Sequence, residues 1–180
     1  MCKRYAILAI GAFDYIENKT GNMLIRNRPG EVVSVIDPEK AGQTAQQVLG
    51  WGGVIPCVSS FNDTKGSDST HLVIGSAPQG GDLNDAYRKE IRDAIISGCH
   101  IISGMHIFLN DDSEFSHLAK ENGIKITDLR RPPSPPHFPK GTWKNRKFPV
   151  LLIVGSDCDT GKMTTAWEIF EALKKRNRKV

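Results

Sequence analysis

The sequence has little cysteine, and none of it is arranged in the closely spaced pairs of zinc or redox motifs. Its four cysteines are Cys2, Cys57, Cys99 and Cys158, with no spacing typical of a disulfide framework. This pattern favours a reducing compartment. No uninterrupted apolar run approaches the roughly 20 residues that a membrane helix needs, and the early apolar run at residues 5–11 is typical of a strand rather than a secretory leader. We therefore predict a cytoplasmic protein with no membrane partner.

Neither sign of charge dominates the chain, whose formal net charge is +4 over 180 residues. Much of the basic excess falls in residues 130–147 and 174–179. A nucleic-acid surface would combine such a stripe with interleaved aromatic residues or a known binding module, and neither is present. The basic tail instead suits the negative end of a helix dipole. We predict a small-molecule substrate and no nucleic-acid partner, and a homo-oligomer is compatible with the sequence.

Strand and helix patterns alternate over residues 1–129. The predicted strands cover residues 5–10, 31–36, 54–58, 71–74, 99–103 and 124–127. The predicted helices cover residues 20–28, 41–49, 84–97 and 113–122. Such alternation predicts a mostly parallel sheet with right-handed crossovers and helices on both faces. The predicted fold class is therefore α/β, beginning with a Rossmann-like parallel sheet domain over residues 1–129.

The composition changes at residues 130–148, which contain five prolines and show no periodic spacing of apolar residues. Proline fixes φ and lacks an amide donor, so we predict an extended inter-domain linker; a long surface loop inside one domain is the alternative. An apolar strand is predicted next, at residues 148–154, followed by a loop and a helix that starts near Lys162 and has apolar residues at helical spacing over residues 166–175. Residues 149–180 are thus predicted to be the first strand–loop–helix of a P-loop domain.

The loop between that strand and helix is bounded by Gly155 and Gly161 and followed by Lys162, which is the order of a phosphate-binding P-loop. Glycine permits close backbone approach to phosphate, the helix start offers amides, and the lysine adds positive charge. The predicted cofactor-binding residues are Gly155, Ser156, Asp157, Cys158, Asp159, Thr160, Gly161, Lys162, Met163, Thr164 and Thr165.

Two features of this loop depart from the common pattern. Five residues separate Gly155 from Gly161, where four are usual, and Met163 occupies the position at which Ser or Thr normally holds Mg²⁺. The second departure argues against a resident metal and against triphosphate hydrolysis, whereas phosphate binding depends on the backbone and Lys162. Asp157 is a candidate catalytic base or metal ligand, with a turn cap as the alternative.

The first domain offers further candidates at the carboxyl ends of its predicted strands. His106 is a second candidate catalytic residue, with a structural role as the alternative. Asp37 ends the second strand, where dinucleotide folds place a ribose-binding carboxylate, but the fingerprint G-x-G-x-x-G is missing and a cap or turn is favoured. The candidate substrate-binding residues are Lys19, Thr20, Arg26, Asp37, Gly75, Gly80 and Gly81.

Taken in order, the motifs at residues 19–26, 33–37, 41–42, 75–81, 103–109, 128–133 and 155–165 resemble those of one bacterial and archaeal family. Its members combine an N-terminal Rossmann-like domain with a C-terminal P-loop domain, and some resemble D-glutamate N-acetyltransferase. The resemblance implies acetyl transfer from acetyl-CoA to the amine of a D-amino acid, with the P-loop holding the cofactor diphosphate. It also accounts for Met163, because a diphosphate can be held without being hydrolysed. Members continue for a second half of similar length, which implies that this chain alone is an inactive fragment.

Two other functions are compatible with the loop. One is an ATP-dependent ligase or kinase that resembles dethiobiotin synthetase and uses ATP with Mg²⁺. It would need a metal-binding hydroxyl and a second acidic motif, and the sequence does not contain the latter. The other is a non-enzymatic nucleotide-binding module.

Overall fold

The computed structural model describes residues 3–64, 68–76, 83–157 and 160–180. The chain divides into two compact units, Met1–Pro133 and Ser134–Val180. The first unit extends past residue 129 because the next side chains bind to it. Arg130 Nε donates to the Gly104 carbonyl at 2.6 Å, and Arg131 Nη2 lies 2.7 Å from Asp111 Oδ1.

The first unit is built on a six-stranded, all-parallel sheet. Its strands are β1 Tyr5–Leu8, β2 Val32–Ile36, β3 Cys57–Val58, β4 His71–Ile74, β5 His100–Ser103 and β6 Ile126–Asp128. They lie in the order β3-β2-β1-β4-β5-β6. The predicted parallel α/β sheet is confirmed. The chain order reverses between β1 and β4, so the carboxyl ends of these two strands form the topological switch point of the sheet.

In the described part of this unit the strands are connected by the α-helices α1 Lys19–Asn27, α2 Ala45–Leu49, α3 Asp85–Ile96 and α4 Ser113–Glu121. The starts of three are set by capping side chains. Thr44 and Gln47 form a capping box at α2, Asn84 accepts from the Tyr87 amide at α3, and Asp112 accepts two amides at α4. None of the helices in the described residues is long and apolar enough to cross a lipid bilayer.

The sheet separates two apolar clusters, as a parallel sheet covered on both faces requires. Alternate residues of β1 divide between them, with Leu8 in one cluster and Ile7 in the other. Leu8 shares its cluster with residues of α3 and α4, including the fully buried Ile91 and Phe115. Ile7 shares its cluster with residues of α1 and α2. Both faces of the sheet are therefore covered by apolar packing, and in sheets of this kind ligands bind at the carboxyl ends of the strands.

The second unit has one long helix, α5 Lys162–Lys175. Its start at Lys162 agrees with the helix start predicted for the phosphate-binding loop. The prediction of a strand at residues 148–154 was wrong, because this segment forms no strand. Its side chains Leu151, Leu152 and Val154 are exposed. An apolar run becomes a strand only when a neighbour supplies hydrogen bonds, and the described residues of this unit contain no other strand to pair with it.

Candidate functional site

The phosphate loop predicted at residues 155–165 bends back toward its own lysine. Lys162 Nζ donates to the Asp157 carbonyl and also to Thr160 Oγ1, the latter at 3.1 Å. Thr160 Oγ1 in turn donates to the Asp157 carbonyl at 3.1 Å. The ammonium group therefore lies against the loop whose backbone would surround a phosphate. Cys158 and Asp159 lie outside the described residues.

The geometry of the loop favours glycine at both of its ends. A Cβ atom added to Gly155 would lie 2.3 Å from Thr160 Oγ1 and 3.1 Å from Lys162 Cγ. Gly161 has a φ of 81°, a left-handed conformation that side chains disfavour. The two positions act differently: Gly155 leaves space for the loop to close, and Gly161 turns the chain into α5.

The start of α5 supplies the amide groups of an anion site. The first intrahelical bond runs from the Thr165 amide to the Gly161 carbonyl at 2.9 Å. The amides of Lys162, Met163 and Thr164 come before that bond, at the positions that an α-helix leaves without intrahelical partners. These amides lie at the positive end of the helix dipole, and both features favour a negatively charged ligand. Met163 itself is exposed.

A second candidate site lies wholly within the first unit. A cavity of about 490 Å³ opens at the carboxyl ends of β1, β4 and β5. We call it the switch-point crevice. Its lining includes Lys19 and Thr20 at the start of α1, Gly75 after β4, Gly104 after β5 and Arg130 after β6. Three of the predicted substrate-binding residues, Lys19, Thr20 and Gly75, are thus brought together.

The crevice depends on close packing between α1 and β4. The fully buried Asn18, which precedes α1, is wedged against Gly75. A Cβ atom added to Gly75 would lie 2.2 Å from Asn18 Oδ1 and 2.8 Å from Ile7 Cγ2. Only glycine at this position lets the helix start approach the end of β4.

We expect Gly75→Ala to lower the free energy of unfolding by about 1–3 kcal/mol, because the added methyl group overpacks a buried contact. Gly104→Ala is the matched control. It lines the same crevice, but an added Cβ there would meet no atom within 4 Å. Urea denaturation of both variants measures the difference, and equal stability of the two would contradict this packing.

A buried hydroxyl pair that the sequence did not suggest lies at the crevice. Ser76 Oγ and Tyr87 Oη are 2.7 Å apart, and Tyr87 Oη donates to the Ile10 carbonyl at 3.4 Å. Burial is the main cause that raises the pKa of Tyr87, so its phenol is protonated at neutral pH. Ser76 directly follows Gly75, a predicted substrate-binding residue. Tyr87 was not predicted, because the sequence identifies it only as an apolar residue of α3.

Asp37 does not line the crevice. Its carboxylate is fully buried and accepts the amides of Gly11, Phe13 and Glu39 at 3.1, 3.2 and 3.1 Å. These bonds fix the loop after β1 to the end of β2. The turn-forming alternative is therefore what the structure shows, and the carboxylate oxygens are directed at backbone amides rather than toward a ribose.

The remaining candidates are dispersed. Arg26 lines a different cavity, beside Pro29 and Trp51. His106 is exposed and is not among the described residues that line the crevice. Gly80 and Gly81 lie outside the described residues. Within the parts of the chain that are described, no three His, Cys, Asp or Glu side chains are grouped as metal ligands would be.

Comparison with known proteins gives matches for both units. Residues 38–132 match the family described as "Domain of unknown function (DUF1611_N) Rossmann-like domain", and residues 137–180 match "Domain of unknown function (DUF1611_C) P-loop domain". A solved DUF1611 family protein from Anabaena variabilis ATCC 29413 is 30% identical, with a TM-score of 0.82. The match covers 97% of this chain and 50% of that one.

Two curated proteins named D-glutamate N-acetyltransferase are also similar. The protein from Pseudoalteromonas sp is 35% identical over 106 residues, which are 59% of this chain and 31% of that protein. The protein from Tritonibacter scottomollicae is 31% identical over 107 residues, or 59% and 32%. The chain thus spans about half the length of the solved relative, and the curated alignments span about a third of theirs. With its Rossmann-like domain followed by a P-loop domain, the chain belongs to the DUF1611 family.

Proposed function

We propose that this protein takes part in acetyl transfer from acetyl-CoA to the amine of a D-amino acid such as D-glutamate, and that residues 155–165 hold the diphosphate of the coenzyme. The observation that carries the proposal is the convergence of Lys162 and the first amides of α5 on one glycine-bounded loop. The names of the two curated relatives support the reaction class. The activity of the whole protein is part of the proposal.

The present contacts of Lys162 suit it to receive an anion. Its ammonium group donates to a backbone carbonyl and a hydroxyl, which are both neutral acceptors. A phosphate oxygen carries a full negative charge, so its attraction to the ammonium adds a charge–charge interaction that neutral acceptors do not provide. A diphosphate oxygen would therefore replace the Asp157 carbonyl as the preferred partner, and the loop amides would complete the binding site.

Met163 favours a coenzyme over a hydrolysed nucleotide. The residue after the P-loop lysine normally supplies a hydroxyl to Mg²⁺, and methionine has no such oxygen. Acetyl transfer breaks a thioester C–S bond and forms an amide C–N bond, so the diphosphate stays intact and needs no metal-assisted displacement. Asp157 and His106 remain the proposed candidates for the base that removes the proton of the amine.

Calorimetry on the 180-residue chain tests the ligand class. We expect acetyl-CoA and coenzyme A to bind, and pantetheine, which lacks the diphosphate, to give no heat. ATP with Mg²⁺ and NAD are titrated as competitors. Tight binding of ATP–Mg²⁺ without a response to acetyl-CoA would indicate a ligase, a kinase or a nucleotide-binding module instead. Equal binding of pantetheine and coenzyme A would contradict the role of the loop.

A further inference from the structure

Building on the proposed function, we propose that the switch-point crevice binds the acidic amino acid. Its two carboxylates would be bound by Lys19 and Arg130, and its ammonium group by Glu17. All three residues line the crevice. The volume of about 490 Å³ lies within the roughly 300–1,000 Å³ that is usual for small-molecule sites.

The charges of the lining are complementary to those of an amino dicarboxylic acid. Among the described lining residues, the charged side chains are Lys19, Arg130 and Glu17, which give two positive charges and one negative charge. An amino dicarboxylic acid at neutral pH has two carboxylates and one ammonium group. Matching of opposite charges in this way gives specificity, because a ligand with a different pattern leaves a charge opposed or unmatched.

The two cations come from different elements of the fold. Lys19 is the first residue of α1, whose preceding residue Asn18 makes no side-chain capping bond. The helix start adds amides and a positive dipole end that favour a carboxylate beside Lys19. Arg130 is positioned by the bond from its Nε to the Gly104 carbonyl at 2.6 Å. A guanidinium group has further N–H groups at Nη1 and Nη2 that suit a second carboxylate.

The uncharged lining fits the rest of such a ligand. Ile10 and Ile74 offer apolar surface to the methylene groups between the two carboxylates. The Ser76–Tyr87 hydroxyl pair adds neutral hydrogen-bonding groups at the same cavity. A simple inorganic anion would use the two cations but would be repelled by Glu17, so the negative charge is the feature that selects an amino acid.

Ligands that lack one charge at a time test the pattern. D-glutamate, D-glutamine and glutarate are titrated into the 180-residue chain, with and without saturating coenzyme A. We expect D-glutamate to bind about 10- to 100-fold more tightly than D-glutamine, which lacks one carboxylate. Glutarate, which lacks the ammonium group, should also bind more weakly. Equal affinity for all three ligands would overturn the inference.

Charge-neutralising variants assign the groups. Lys19→Gln and Arg130→Gln should each weaken D-glutamate binding about 10- to 100-fold. Lys125→Gln removes a positive charge from an exposed position outside the crevice and should leave the affinity unchanged. Glu17→Gln should reduce the preference for D-glutamate over glutarate. Thermal unfolding of each variant confirms that the fold is retained, and a Lys125→Gln loss equal to those at Lys19 and Arg130 would refute a local site.

The two proposals fail in different ways. If coenzyme A binds but D-glutamate does not bind in its presence or absence, the crevice assignment is overturned and the P-loop assignment stands. If D-glutamate binds and responds to Lys19→Gln and Arg130→Gln while coenzyme A does not bind, the crevice assignment stands and the cofactor proposal fails. Lys19→Gln and Arg130→Gln should leave coenzyme A binding unchanged, because the residues of the P-loop lie elsewhere in the sequence.

Discussion

Lys162→Ala should weaken coenzyme A binding by roughly 1.5–3 kcal/mol, or about 10- to 150-fold. The reason is the loss of the Lys162 ammonium group, which contacts the loop through the Asp157 carbonyl and Thr160 Oγ1. The backbone amides at the start of α5 would remain and would retain part of the affinity. Calorimetry on wild type and variant gives the difference in binding free energy directly.

The matched control is Lys175→Ala, at the other end of the same helix. Lys175 is exposed in the last turn of α5, far along the helix from the loop. Lys175→Ala changes the net charge by the same amount as Lys162→Ala. Any difference in affinity between the two variants therefore reports the position of the lysine. Equal losses of affinity in the two variants would show that coenzyme A responds to general charge rather than to the P-loop.

Asp37→Ala should lower the free energy of unfolding by roughly 2–5 kcal/mol, the largest effect on stability that we expect from a polar substitution. The buried carboxylate accepts three backbone amides, and alanine would leave those donors without their acceptor. The loop after β1 would also lose its attachment to β2. Urea denaturation followed by circular dichroism measures this change.

Asp14→Ala provides the comparison within the same loop. Asp14 Oδ1 also accepts two amides, from Ile16 at 2.7 Å and Glu17 at 2.6 Å, but both bonds are exposed. Water can replace an exposed acceptor, so we expect a cost of about 1 kcal/mol or less. If Asp37→Ala were no more destabilising than Asp14→Ala, burial would not be the reason for its effect, and a ligand-binding role for Asp37 would have to be reconsidered.

The outline of the first unit could be predicted because strand and helix periods are local properties of the chain. Each strand of the observed sheet overlaps a predicted one, although the third shortened from residues 54–58 to Cys57–Val58. That strand lies at the edge of the sheet, and Pro56 lacks the amide donor that a longer ladder would use. The strand predicted at residues 148–154 did not form because an apolar run does not by itself supply a neighbouring strand to pair with.

The phosphate loop was found from sequence because its parts are neighbours in the chain. Gly155, Gly161 and Lys162 fall within eight residues, so their spacing alone brings them together. Only some of the residues that line the crevice were predicted from the sequence. Lys19 and Gly75 could be suspected from their places after strands, but Glu17 and Arg130 are 113 residues apart, and no periodic pattern connects them.

Features that depend on short-range spacing could be predicted from the amino-acid sequence. They are the alternating elements, the proline-rich segment and the lysine at the start of α5. Features that depend on which strands become neighbours required the folded chain. The sheet order brings the ends of β1 and β4 together, where the crevice lies. The pairing of β1 with β2 places the buried Asp37 carboxylate against the backbone amides of the loop after β1. The physical reason is that strand pairing and burial are long-range interactions, and these determine whether a carboxylate serves the fold or a ligand.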